Sequence, residues 1–246
     1  MIPTSRIGRP IKIIPKTSLS APIVLRFKIV EFTNSFEDVV PGKILRRFVF
    51  CEVRNAASIL KATSADQWTE ILQVLDRFRL TEADIVDAGG NKSDIAARLD
   101  EEFRKMGWRE GRVDTLIKLK VAISPYRKAG ETTGVSRESV VENKGYKVDN
   151  FKGRVALDVE WNAKDGNLDR DVGAYRALYE GAVIDVAVII TRTHEDLRAL
   201  AIELDADSTK FKTTTTTHLG NLQPRLSRGD GGGCPILVVA ICSSTR

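Results

Sequence analysis

Apolar positions along the chain repeat with two different periods. RRFVFCEV (47–54) and TLIKLKVAI (115–123) alternate or run apolar over short distances, as strands do, and FKIVEF (27–32) reads the same way. SADQWTEILQVLDRF (64–78) places Trp68, Ile71, Leu72 and Leu75 on one side of a helix, with Ser64 as its expected N-cap. NKSDIAARLDEEFRKMGW (91–108) does likewise through Ile95, Leu99, Phe103 and Met106, and Gly107 is its expected stop. The polar stretch RKAGETTGVSRE (127–138) predicts a loop.

The second half alternates more regularly. A strand is expected over 155–160, then a helix over about 171–180 with Val172, Tyr175 and Tyr179 along one side and Gly181 at its end. AVIDVAVIIT (182–191) is nearly unbroken in its apolar character, the mark of a strand buried on both faces. A helix over 193–204 begins at Thr193, with Asp196 three residues on, and CPILVVAIC (234–242) closes the chain as another buried strand. Strands alternating with helices predict an α/β protein, a central mixed sheet flanked by helices, with a partly parallel core. No internal repeat is visible.

A chain of 246 residues is long enough for one large domain with appendages. Such a domain buries roughly 70–75% of its unfolded surface and needs no disulfide. Cys51, Cys234 and Cys242 are odd in number and lack CxxC spacing, which fits a reducing cytoplasm better than secretion. No apolar run approaches the roughly 18 residues of a membrane span, and no signal peptide is expected. The net charge of +5 is unevenly placed: residues 1–30 hold Arg6, Arg9, Lys12, Lys16, Arg26 and Lys28 and no acid, so the remainder is close to neutral. Four of the eight prolines, Pro3, Pro10, Pro15 and Pro22, stand in the same stretch and rule out a long helix. Residues 1–26 are therefore expected to be a basic, extended or flexible arm, with DNA contact as an alternative role. Residues 27–246 are expected to form a single domain.

Candidate chemistry lies in VDNFKGRVALDVEW (148–161). On a strand, Ala156, Asp158 and Glu160 share one face, with the two acids about 6.6 Å apart along the chain. Like charges that close call for a cation between them, and a hard divalent ion takes carboxylate oxygens. Asp149 lies nine residues before Asp158, with Gly153 in the connection, close enough to turn back to the same ion. The bland alternative is an exposed edge strand whose acids meet water or pair with Lys152 and Arg154. DGNLDRD (165–171) begins like a calcium loop, but Arg170 and Arg176 stand where an EF-hand needs Gly and a bidentate Glu. That reading is rejected.

Taken together, FKGRVALDVEW and AYRALYEGAVIDVAVIIT resemble the BglII/BstYI family of type II restriction endonucleases, which has the PD-(D/E)xK nuclease fold. LDEEFRKMGWREGR (99–112), TTTTTHLGNL (213–222) and RGDGGGCPILVVAI (228–241) agree in order. The likeness covers roughly residues 90–245 and reaches residue 28 more faintly. It implies a restriction-endonuclease-like fold and Mg²⁺-dependent hydrolysis of DNA, with Asp149, Asp158 and Glu160 as catalytic, metal-binding acids. Two positions depart from the pattern: Asp158 stands where near relatives usually have Glu, and Glu160 where the superfamily has Lys and these relatives often Gln.

The resemblance also implies a DNA-reading segment. Residues 208–228 carry Lys210, Lys212, Arg225 and Arg228 and no acid, around a run of threonines. Lys164, Lys210, Lys212, Thr214, Thr215, Thr216, His218, Arg225 and Arg228 are the expected DNA contacts, although a plain strand or loop would also suit the threonine run. His194, beside a helix start, is expected to be structural. Family members act as homodimers on palindromes centred on GATC, alongside a cognate DNA methyltransferase. A repair nuclease of the same fold and a DNA-binding protein without catalysis stay open as alternatives.

Overall fold

The computed structural model describes residues 30–86, 94–204 and 211–246. The expected arm over 1–26, residues 27–29 of the expected strand 27–32, and residues 91–93 of the second predicted helix lie outside them. Among the described residues a single mixed sheet of seven strands runs through the protein. Its strands are β1 (Phe32–Thr33), β2 (Phe48–Val53), β3 (Arg109–Ile123), β4 (Val135–Lys152), β5 (Val155–Val159), β6 (Val186–Arg192) and β7 (Ile236–Ile241). Their spatial order is β1-β2-β7-β6-β5-β4-β3. Strands β5, β6 and β7 are parallel to one another, and every other pairing is antiparallel. The central mixed sheet expected from the sequence is present.

Nine helices flank it among the described residues: α1 (Phe36–Val39), α2 (Gly42–Leu45), α3 (Ala56–Thr63), α4 (Ala65–Arg77), α5 (Glu82–Val86), α6 (Asp94–Lys105), α7 (Gly166–Glu180), α8 (Glu195–Glu203) and α9 (Leu219–Arg228). Helices α3, α4, α6 and α8 cover one sheet face, where Leu60, Ile71, Leu99 and Leu197 meet Val155, Leu157, Val188 and Val239. Helices α7 and α9 cover the other, where Val172, Leu178 and Leu222 meet Ala156, Ile189 and Val238. Burial of each such aliphatic side chain contributes roughly 1.5–3 kcal/mol, so the three central strands are the most strongly held part of the fold.

Several expectations need correction. Ser64 precedes α4, but its side chain caps nothing, because α3 runs straight into it from the other side. Helix α7 starts at Gly166, five residues earlier than the apolar stripe suggested, and β6 starts four residues later than its apolar run. The expected loop over 127–138 is a short turn, and β4 has already begun at Val135.

Strands β3 and β4 form a long hairpin at the sheet edge, exposed on both faces over most of its length. Gly145 sits where the pairing is irregular, opposite Val113. A Cβ there would fall 1.3 Å from the Val113 carbonyl oxygen, so only glycine fits.

Candidate active site and nucleic-acid interface

Gly153, with φ +60°, and Arg154 turn β4 back onto β5. The register pairs Asn150 with Leu157 and Phe151 with Ala156, which brings Asp149, the next residue back along β4, beside Asp158. The backbone N–H of Asp149 donates to Asp158 Oδ1 at 2.7 Å. Strand β5 is interior to the sheet, and Asp158 and Glu160 are only 4% and 5% exposed. The exposed-edge alternative is thereby excluded. Lys152 and Arg154 do not neutralise these acids, for Lys152 pairs with Glu70 at 2.6 Å and Arg154 with Asp185 at 2.7 Å.

Two further side chains complete the cluster, and both come from α7. The Tyr175 hydroxyl donates to Asp158 Oδ2. Asp171 is buried next to Glu160, and Arg170 reaches only its Oδ1, at 2.9 Å. Glu160 itself is fixed by its backbone: its N–H donates to the Ile190 carbonyl at 2.8 Å, and Thr191 Oγ1 donates to its own carbonyl at 2.9 Å. Sequence reading missed Asp171, absorbed into a rejected calcium loop, and took Tyr175 as part of an apolar stripe.

Burial pushes the Asp158 carboxyl up to about 7, against the opposing pull of the Asp149 N–H and the Tyr175 hydroxyl. Burial, then the neighbouring Asp171, pushes Glu160 up to about 9. Burial likewise raises Asp171, while Glu160 and Arg170 oppose the shift. Too many carboxyls share one dry pocket for all to ionise unaided, so the cluster retains protons or takes up positive charge. Tyr175→Phe removes one of the two donors on Asp158 at constant shape. It is expected to lower stability by about 1 kcal/mol, read as a reduced urea midpoint at pH 8.

The threonine segment docks beside this pocket. Asp165 N–H donates to the Thr215 carbonyl at 3.0 Å, Thr217 N–H to the Ala163 carbonyl at 2.9 Å, and Lys164 bridges Thr216. Residues 163–165 follow the acidic strand closely in sequence, so the threonine segment is held against the chain as it leaves that strand. Lys164, Lys212, Thr214 and Thr215 are exposed and Thr216 half-buried. Arg192 anchors the segment from beneath, donating to Thr216 Oγ1 at 2.8 Å and to Asn162 Oδ1 at 3.1 Å. Sequence reading missed Arg192, which ends an otherwise apolar strand.

Other expected contacts have partners inside the protein. His218 is the N-cap of α9, accepting from the Asn221 N–H at 3.3 Å, and its ring stacks on His194 with centroids 4.7 Å apart. Arg225 forks onto Asp169 at 2.6 and 2.8 Å, and Arg228 pairs with Asp230 at 2.6 Å. Lys210 lies outside the described residues.

A mixed sheet whose antiparallel β4 and parallel β5 bring buried acids together, next to a hydroxyl-rich loop, is the architecture of a restriction-endonuclease-like nuclease. The family model for restriction endonuclease BglII/BglIII matches residues 48–241, most of the chain. The chain therefore belongs to this family, and with it to the type II restriction endonucleases, site-specific nucleases of DNA. No curated protein matches it closely enough to count as a relative.

Enzymes of this family generally use divalent metal ions. Among the described residues no three His, Cys, Asp or Glu stand ready around one point to hold an ion. The donor set nevertheless fits a hard cation: it is all oxygen, and Glu160 Oε2 and Asp171 Oδ2 are buried with no hydrogen-bond partner. Among the described residues no helix is long and apolar enough to cross a membrane.

Proposed function

We propose that this enzyme hydrolyses both strands of duplex DNA at a short palindrome centred on GATC, with Mg²⁺, leaving 5′-phosphate and 3′-hydroxyl ends. One observation carries the reading: the Asp149 N–H meets Asp158 Oδ1 at 2.7 Å, with Glu160 buried two residues on. Asp149, Asp158 and Glu160 would hold the ion. When bound, Mg²⁺ supplies the positive charge that polarises the scissile phosphate and acidifies a water. With the ion bound and its charge favouring the carboxylate, Glu160 would position the attacking water or take its proton. Tyr175 holds Asp158 in its rotamer throughout. Lys164 and Lys212 meet phosphates, and the exposed hydroxyls of Thr214 and Thr215 reach base edges. The target's two-fold symmetry favours a homodimer working beside a methyltransferase of matching specificity in the cytoplasm.

Incubation with phage DNA and Mg²⁺ is expected to give discrete bands, each ending in a 5′-phosphate. Methylation at the cut site is expected to abolish them. Smeared or junction-specific products, or a mobility shift without cuts, would overturn the reading.

A further inference from the structure

Of the thirteen large hydrophobic side chains exposed among the described residues, ten lie on the β3–β4 hairpin and its tip. Strand alternation sorts them into faces. The register sets Ile117 beside Val141, Leu119 beside Ser139, Val121 beside Arg137 and Ile123 beside Val135, so these share one face. Lys118 and Lys120 lie on the other with Leu116 and Val140, and both lysines pair with Glu138, at 3.4 and 3.6 Å. That second face is mixed, its apolar side chains set among lysines and glutamates. The first presents Ile117, Leu119, Val121, Ile123, Val135 and Val141, each 42–57% exposed, with Arg137 its lone charge. A two-stranded ribbon is marginal by itself in water, and an apolar face of this extent on a sheet edge invites association.

We infer that this face packs against the same face of a second copy of the chain, making a two-fold contact between hairpins. The composition disfavours DNA as occupant, since phosphates need cations and the face offers one. The body of a second copy offers no match either. The other exposed large hydrophobics, Phe32, Val49 and Ile202, stand singly on β1, β2 and α8. Among the described residues the apolar surface that complements the hairpin is therefore the hairpin itself, as an isologous interface requires. Five of the nine pairs from Thr115 to Ile123, ten residues, lie on this face, and with the tip where Tyr126 is exposed they supply the apolar centre of a contact whose usual extent is roughly 20–30 residues a side. Arg137 reaches water at the rim by its flexible stem.

The inference rests on the proposed homodimer and not on the chemistry of the acids. Sedimentation of the full chain without DNA is expected to show a dimer. Leu119→Lys with Val121→Glu is expected to raise its dissociation constant at least tenfold while the circular dichroism spectrum stays unchanged, because both side chains are exposed. Lys118→Ala with Lys120→Ala, on the opposite face, is expected to leave the dimer intact. Ser139→Cys is expected to cross-link two copies on oxidation, since the three native cysteines are buried. A monomeric wild-type chain would overturn the dimer and the contact together. A dimer indifferent to the apolar substitutions, or one that Ser139→Cys cannot cross-link, would overturn the hairpin contact and leave the dimer standing.

Discussion

Asp158→Asn is expected to lower DNA cleavage by more than about a hundredfold, the loss that follows even from removing a partner of a metal ligand. The same variant is expected to be more stable than the parent at pH 8 without metal. The carboxyl titrates near 3.8 ordinarily and near 7 in the fold, because burial disfavours its charged form. A group raised in this way contributes its stability fully below pH 3.8 and loses it as pH rises through about 7. That shift of about three units corresponds to at most about 4 kcal/mol. An amide keeps the shape, accepts the Asp149 N–H and donates to the Tyr175 oxygen, so it avoids the buried charge. A gain of roughly 1–3 kcal/mol is expected at pH 8, and little or none at pH 4. Urea unfolding of both proteins at the two pH values checks it. Undiminished cleavage would remove Asp158 from the proposed metal site, and equal stability at pH 8 would show that its burial carries no penalty.

Arg192→Met is expected to weaken binding of target duplex at least tenfold, about 1.4 kcal/mol, with the protein still folded. Arg192 is 1% exposed and makes no ion pair among the described residues. Burial lowers its pKa to about 10, so it stays charged at neutral pH. Its guanidinium is held by uncharged partners: Asn162 Oδ1, the Thr193 carbonyl at 3.2 Å, Thr216 Oγ1, and the Phe211 ring at 4.9 Å. Methionine preserves the apolar stem but drops the tie to Thr216. If residues 213–217 read DNA, losing that anchor adds an ordering cost to binding. Fluorescence anisotropy with labelled duplex, free of divalent metal, measures the effect. Unchanged affinity would separate Arg192 from recognition.

The sequence exposes the parts of this fold whose periodicity is forced by burial. Strands β5, β6 and β7 are covered on both faces, so nearly all their residues are apolar and legible at sight. The acids stand out because carboxylates inside such a run need a reason. Strand β4 was hidden for the opposite cause. Over Val135 to Asn143 it packs against no core, so its composition carries no alternation strong enough to separate it from a loop. Helix α9 carries Pro224 in its interior, and no helix is expected there from the sequence. Asp171 and Arg192 could not be found by spacing, for α7 and β6 bring them to their partners only once the layers have stacked. The family resemblance supplied the acids, and three-dimensional packing supplied what surrounds them.

One strand joins two ends of the molecule. β4 leaves the hairpin tip at Val135 and continues to Lys152, its pairing with β3 shifting near Gly145 and again between Val148 and Phe151, where the Asp149 N–H meets Asp158. A slip of a single residue would turn Asp149 to the opposite side of the sheet. The exposed hairpin and the buried acids thus share one strand, and Gly145 marks a point between them where its pairing shifts.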